Sequence, residues 1–173
     1  MMVCAFLAAS GCAYRLGSPD RSLPGGYRQV FVPVFKNKSM EPGIEVDFTN
    51  ALIQEFERAK IARVTDQHQA EIIALGVIEA VDYSSSGRPE EGVLATQYSV
   101  VIRVSVTLVR NTDKSVVWSG SFSGERTYVA PQVKASVINT VNPLYNLSAR
   151  RQNIGVAAAK MMAEAHDRMT ENF

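Results

Sequence analysis

From Tyr98 to Leu108 every second residue is aliphatic or aromatic: Tyr98, Val100, Ile102, Val104, Val106 and Leu108. Strand side chains alternate between faces, so this run predicts a strand over 95–110 whose other face carries Ser99, Val101, Arg103, Ser105, Thr107 and Val109. Such a strand cannot stand alone, because its apolar side needs a second layer to cover it. The residues Asn111-Thr112-Asp113-Lys114 then reverse the chain into a further run, Val116 to Tyr128, in which Val116, Trp118, Gly120 and Phe122 oppose Val117, Ser119, Ser121 and Ser123. Upstream, Ala70 to Val81 is apolar on both sides, with Ile72, Ile73, Leu75, Val77 and Ile78, as a strand near the centre of a sheet requires. A loop of turn formers, Ser84 to Gly92, separates it from the alternating run.

Two helices are predicted to supply the covering layer. Ile44, Phe48, Ala51, Leu52, Phe56 and Ala59 recur at helical spacing, with Glu45, Gln54, Glu57 and Arg58 on the other side. A second helix is predicted from about Tyr145 to Met169, with Ile154, Ala157, Ala158, Met161, Met162, Ala165 and Met169 on one face; the alanines allow close approach to a sheet. Ahead of the first helix, Arg28 to Phe35 alternates as a strand. Pro33 cannot donate to a ladder, so that strand must bulge there or lie at an edge. The order strand, helix, three strands, helix gives an α+β two-layer sandwich, two helices packed on a four-stranded mixed sheet (β-α-β-β-β-α).

The chain of 173 residues, 46% of them hydrophobic, suffices for one domain, placed at 27–173. Its 18 Lys and Arg against 17 Asp and Glu give a net charge of +1, too little to hold nucleic acid by neutralising phosphates. No apolar run reaches the roughly 20 residues of a membrane-spanning helix. Both cysteines, Cys4 and Cys12, fall at the beginning, which leaves the rest without a disulfide. The small apolar residues from Val3 to Gly11 read as a lipoprotein signal peptide over 1–11, and Ala9-Ser10-Gly11-Cys12 resembles a bacterial lipobox. Ala9 stands where Leu is commonest and no Lys or Arg precedes the apolar run, as in a shortened signal or one that starts upstream of Met1. Cys12 is then the acylated N-terminus, followed by a tether over 12–26 rich in turn formers. The alternative is a buried N-terminal strand or helix with Cys4 as an ordinary small hydrophobe.

Catalytic patterns are sparse. His68 and His166 are far apart, with no second His at i+3 or i+4 and no cysteine beside them, so no metal site is expected. Gly120-Ser121-Phe122-Ser123-Gly124 places Phe122 where a nucleophile elbow needs Ser, and it lies inside a strand. The glycines form neither a phosphate loop nor a dinucleotide fingerprint. No catalytic residue, metal or cofactor is assigned, and no enzyme is expected. The hydroxyl-rich face with Ser99, Arg103, Ser105, Thr107, Ser119, Ser121 and Ser123 cannot be a dry core; a solvated surface and a binding surface both fit it.

The run Val32-Pro33-Val34-Phe35-Lys36-Asn37-Lys38-Ser39-Met40-Glu41-Pro42-Gly43-Ile44-Glu45, continuing into Leu52-Ile53-Gln54-Glu55-Phe56, resembles the LptE family of lipopolysaccharide-assembly lipoproteins. So do Cys12 followed by Tyr14-Arg15-Leu16, the strand from Tyr98, and the hairpin with Val117-Trp118. The resemblance covers nearly everything after Cys12. It implies an outer-membrane lipoprotein on the periplasmic side that plugs an LptD-type β-barrel and helps deliver lipopolysaccharide to the outer leaflet. It also implies lipopolysaccharide contacts, carried over to Arg88 and Lys134. A polar barrel lumen would suit Ser99, Arg103, Ser105, Thr107, Ser119 and Ser121 as barrel-interface residues. A free periplasmic-facing lipoprotein binding a small or peptidic ligand would share the anchor and fold but need a concave pocket.

Overall fold

The computed structural model describes residues 21–86, 97–129, 132–135, 138–141 and 143–171. In chain order the elements are β1 (Gln29–Phe31), β2 (Lys36–Asn37), α1 (Ile44–Ala59), β3 (Arg63–Val64), β4 (Ile72–Ser86), β5 (Gln97–Arg110), β6 (Val116–Val129), β7 (Gln132–Ala135), β8 (Ile138–Val141) and α2 (Pro143–Thr170). The main sheet has six strands in the order β3-β1-β4-β5-β6, and β2 joins the same edge of β4 as β1. β4, β5 and β6 form an antiparallel meander, whereas β1, β2 and β3 pair in parallel. Parallel neighbours need a crossover connection, and α1 supplies it. The predicted α+β sandwich of two helices on a mixed sheet is therefore what the chain forms, with six strands where four were expected.

The extra strands have local causes. The stretch expected as one strand over 28–35 is split at Pro33 into β1 and β2. Val30 pairs with Ile72 and Phe31 with Ile73, but Lys36 pairs with Val77, so five steps along this chain match four along β4. That added residue is the bulge the proline demands. The Phe35 N–H at the break donates to Thr49 Oγ1 at 3.0 Å, and that buried hydroxyl donates to the Glu45 carbonyl at 2.6 Å. β3 is only two residues long, too short to produce a period, and the hairpin of β7 and β8 was likewise not expected. Ser84 to Ser86, expected in a loop, continue β4.

The alternation in β5 places Val100, Ile102, Val104, Val106 and Leu108 in the core as predicted. α1 contributes Ile44, Phe48, Leu52 and Phe56, while α2 contributes all seven residues expected on its apolar face. Ala59, expected on the buried stripe of α1, is exposed, and Thr49 is buried in addition. α2 lies against β6, where a Cβ on Gly124 would stand 2.6 Å from Met161 Sδ; the missing side chain lets helix and strand meet. In β6 a bulge opposite Leu108 and Val109 shifts the pattern. Trp118 then pairs with Leu108 and Val116 with Val109, leaving Val116 65% exposed while Val117 packs on the core. This reverses the assignment of Val116 and Val117 read from strict alternation.

His166 of α2 is buried edge-on against Phe56, with ring centroids 5.2 Å apart, and its Nε2 has no hydrogen-bond partner. Burial lowers its pKa below the ordinary 6.5, opposed by Asp167, whose Oδ1 is 4.0 Å from Nδ1. The folded state thus holds this proton less well than the unfolded chain, so its contribution to stability is full above about pH 6.5 and is lost as pH falls below it. His166→Phe is expected to lose less stability than the native chain between neutral pH and about pH 5. Urea midpoints at the two pH values measure this; identical pH dependence would remove His166 as the sensor.

Candidate functional site

With α1 and α2 on one side of the sheet, no helix among the described residues covers its other side, and there the meander assembles a polar surface. Alternation points Arg103, Ser105 and Thr107 of β5 outward, between β4 and β6. Arg103 Nη2 lies 2.8 Å from Asp82 Oδ2 on β4. Ser105 Oγ donates to Glu79 Oε1 at 3.0 Å, and Lys38, just beyond β2, donates from Nζ to Glu79 Oε2 at 2.7 Å. Thr107 Oγ1 and Ser119 Oγ are 3.3 Å apart across β5 and β6. Ser121 pairs in register with Ser105 and is exposed. Glu79, Arg103, Ser121 and Ser123 rim a shallow depression of about 270 Å³.

Glu79 takes its place through a bulge in β4: Ile78 pairs with Val104 and Ala80 with Arg103, leaving Glu79 unpaired in the ladder. The Lys38 ammonium, and after it the Ser105 hydroxyl, hold its carboxyl below the ordinary carboxylate range. The result is a chain of cross-strand polar links from Lys38 through β4 to β5, and separately from β5 to β6. The face is ordered by its own hydrogen bonds, with Lys38, Glu79, Asp82, Arg103, Ser119 and Ser121 exposed and Ser105 and Thr107 half-buried.

Of the residues expected on this face, Arg103, Ser105, Thr107, Ser119 and Ser121 are brought together. Ser99 belongs to the same face but is buried, its hydroxyl donating to Glu125 Oε1 at 2.6 Å. Lys38, Glu79, Asp82 and Glu125 were missed as partners. Glu79 did carry a signal, a charge set deep within the apolar run 72–81, but its neighbour depends on register. Arg88 and Cys12 lie outside the described residues. Lys134 sits in β7 with its backbone opposite Asn139 of β8, and its side chain is not described.

Beside the end of β4, a different cluster forms on the helix side. The Arg150 guanidinium lies 5.0 Å above the Tyr83 ring, and its Nη2 is 3.4 Å from Glu41 Oε1. Burial, and then a hydrogen bond to Glu41, raise the Tyr83 phenol above its ordinary pKa. Tyr98 and Tyr128 stack nearby across β5 and β6, with centroids 5.7 Å apart. This cluster fixes the start of α2 against the sheet at the end where β4 leaves toward Arg88. Among the described residues no three His, Cys, Asp or Glu side chains converge as metal ligands, and no helix is long and apolar enough to cross a membrane.

Several solved structures share this fold at low identity. PelC of Paraburkholderia phytofirmans, solved as a dodecamer, is 16% identical with a TM-score of 0.52, covering 84% of this chain and 90% of that one. A protein named as a homologue of neuraminyllactose-binding hemagglutinin from Helicobacter pylori is 14% identical with a TM-score of 0.54, covering 87% and 90%. A protein named as a lipoprotein from Caulobacter crescentus CB15 is 14% identical with a TM-score of 0.52, covering 79% and 88%. At these identities the likeness concerns the fold alone. No curated protein matches the chain. The family profile for LptE, described as lipopolysaccharide-assembly, matches residues 27–172, which takes in the sheet, both helices and the open polar face. This chain therefore belongs to the LptE family of lipopolysaccharide-assembly proteins.

Proposed function

We propose that this protein is an outer-membrane lipoprotein, anchored through Cys12, which seats its open sheet face in the lumen of an LptD-type β-barrel and assists delivery of lipopolysaccharide to the outer leaflet. The observation that carries the reading is the linked polar face of Lys38, Glu79, Asp82, Arg103 and Ser105 on a domain whose opposite face is covered by helices. A barrel lumen is polar, so a partner there is met by hydrogen bonds and charge instead of apolar burial. The internal links also hold the side chains in place before docking, which reduces the ordering cost of association. Arg88 and Lys134 remain the proposed lipopolysaccharide contacts, since guanidinium and ammonium groups suit its phosphates. The role is that of an assembly partner, not an enzyme.

Co-purification with the barrel from detergent-solubilised membranes tests this. Ser105→Trp with Ser119→Trp is expected to lower barrel recovery by about tenfold or more, the effect of a clash costing roughly 1.4 kcal/mol. Gln54→Trp, on the exposed side of α1, is expected to leave recovery unchanged. Equal recovery of the double variant would exclude the open face as the contact.

A further inference from the structure

At the end of the sheet opposite the Tyr83 cluster, two sequence-distant segments, 21–28 and 60–63, assemble a cationic groove. α1 ends at Lys60, whose backbone turns left-handed with φ 56° and whose N–H donates to the Phe56 carbonyl at 3.0 Å. Three residues later Arg63 enters β3, its N–H donating to the Arg28 carbonyl at 2.8 Å, so the parallel pairing with β1 draws Arg28 to its side. Arg21 approaches from the N-terminal side. With Tyr27 these four basic residues line a groove of about 650 Å³, and among the described residues no acidic side chain lines it. Arg21 is paired with Asp167 at 3.0 Å. Arg28, Lys60 and Arg63 have exposed side chains without an ion pair to any described residue. The nearby carboxylate Glu71 is occupied by the Arg28 and Gln29 N–H groups at 2.7 and 3.1 Å, and Glu57 lines an adjoining depression.

We propose that this groove rests on the anionic phospholipid headgroups of the leaflet that carries the protein's own anchor. Chain length argues for that occupant: Arg21 follows Cys12 by nine residues, a span of at most ~30 Å. A lipid at Cys12 therefore keeps the groove close to a surface of phosphates, where each basic residue adds to the attraction. Position argues for it too, since β4 runs from this end to Ser86 over 15 residues, roughly 45 Å away. The groove would orient the domain on the bilayer with its open face standing clear for the barrel. This inference rests on the proposed anchor at Cys12.

Vesicle sedimentation of the full chain carrying Cys12→Ser, which lacks the lipobox thiol, isolates the contribution of the groove. This protein is expected to sediment with phosphatidylglycerol–phosphatidylethanolamine vesicles, less so as salt rises, and not with phosphatidylcholine vesicles. Adding Arg28→Gln, Lys60→Asn and Arg63→Gln is expected to lower partitioning about fivefold per charge and on the order of a hundredfold together. Asn is chosen at position 60 because it tolerates the left-handed backbone, and an unchanged thermal midpoint checks the fold. Equal sedimentation with neutral vesicles, or no loss in the triple variant, would overturn the proposal. Displacement by inorganic phosphate alone would overturn it in favour of a soluble ligand. Palmitate incorporation at Cys12 in otherwise native protein is measured separately, so failure of the anchor and failure of the groove give different results.

Discussion

Phe48→Ala is expected to destabilise the protein by about 3–5 kcal/mol, read from the shift of the urea midpoint at unchanged slope. Phe48 has no exposed surface, and its ring lies 6.3 Å from that of Phe35, centroid to centroid. Phe35 stands at the break between β1 and β2, where its backbone is held to α1 through Thr49. Its ring in turn lies over Gly76 of β4. Phe48 is thus the helix end of a stack that runs from α1 through the interrupted strand to the middle of the sheet. Truncation leaves a cavity in a region with little freedom to collapse, since Phe35 is fixed by both its ring and its N–H. Single domains are stable by only about 5–15 kcal/mol, so the variant should be near the limit of folding in the cell. A loss below about 1 kcal/mol would show that the stack relaxes and that the two layers are held elsewhere.

Gly76→Val tests the other end of the stack and is expected to cost about 3 kcal/mol, the upper part of the usual range for overpacking. A Cβ at position 76 would stand 2.2 Å from the Phe35 ring. Valine's preference for strands cannot offset such a collision, because the obstructing atoms belong to a buried ring and not to a mobile surface chain. The two substitutions should be non-additive. With Phe48 truncated, Phe35 has room to move away from the sheet, so Gly76→Val should cost less in that background than alone. Thermal or urea unfolding of all four proteins measures the coupling, expected at about 1 kcal/mol or more; strict additivity would mean that Phe35 does not transmit the strain.

Much of this architecture was legible because burial imposes periods on sequence. Val100 to Leu108 could be assigned to the core face because one residue in two must be apolar when a single face is covered. The helical spacing of Phe48, Leu52 and Phe56, and of Ile154, Met161 and Ala165, identified the covering layer for the same reason. Pro33 announced an interruption, though not that the pieces on either side would pair with one strand a residue out of step. Periodicity misled where bulges intervened, at Val116 and Val117, because an added residue inverts which side chains face inward. Two-residue β3 was beyond reach, since a pairing of that length leaves no period at all.

The candidate sites divide along the same line. Residue type and alternation were enough to place Arg103, Ser105, Thr107, Ser119 and Ser121 on one uncovered face, the lipobox-like run pointed to Cys12, and family resemblance supplied Arg88 and Lys134. Sequence by itself determined the two layers, the covered side of the sheet, and the polarity of the side left open, because these follow from solvation of side chains along one chain. Tertiary structure alone decided that Glu79 meets Lys38 and Ser105, that Asp82 meets Arg103, and that Arg28, Lys60 and Arg63 share a groove. Those meetings depend on strand register, on a bulge of one residue, and on a parallel pairing across a helix, and none of these leaves a mark in the local pattern of a sequence.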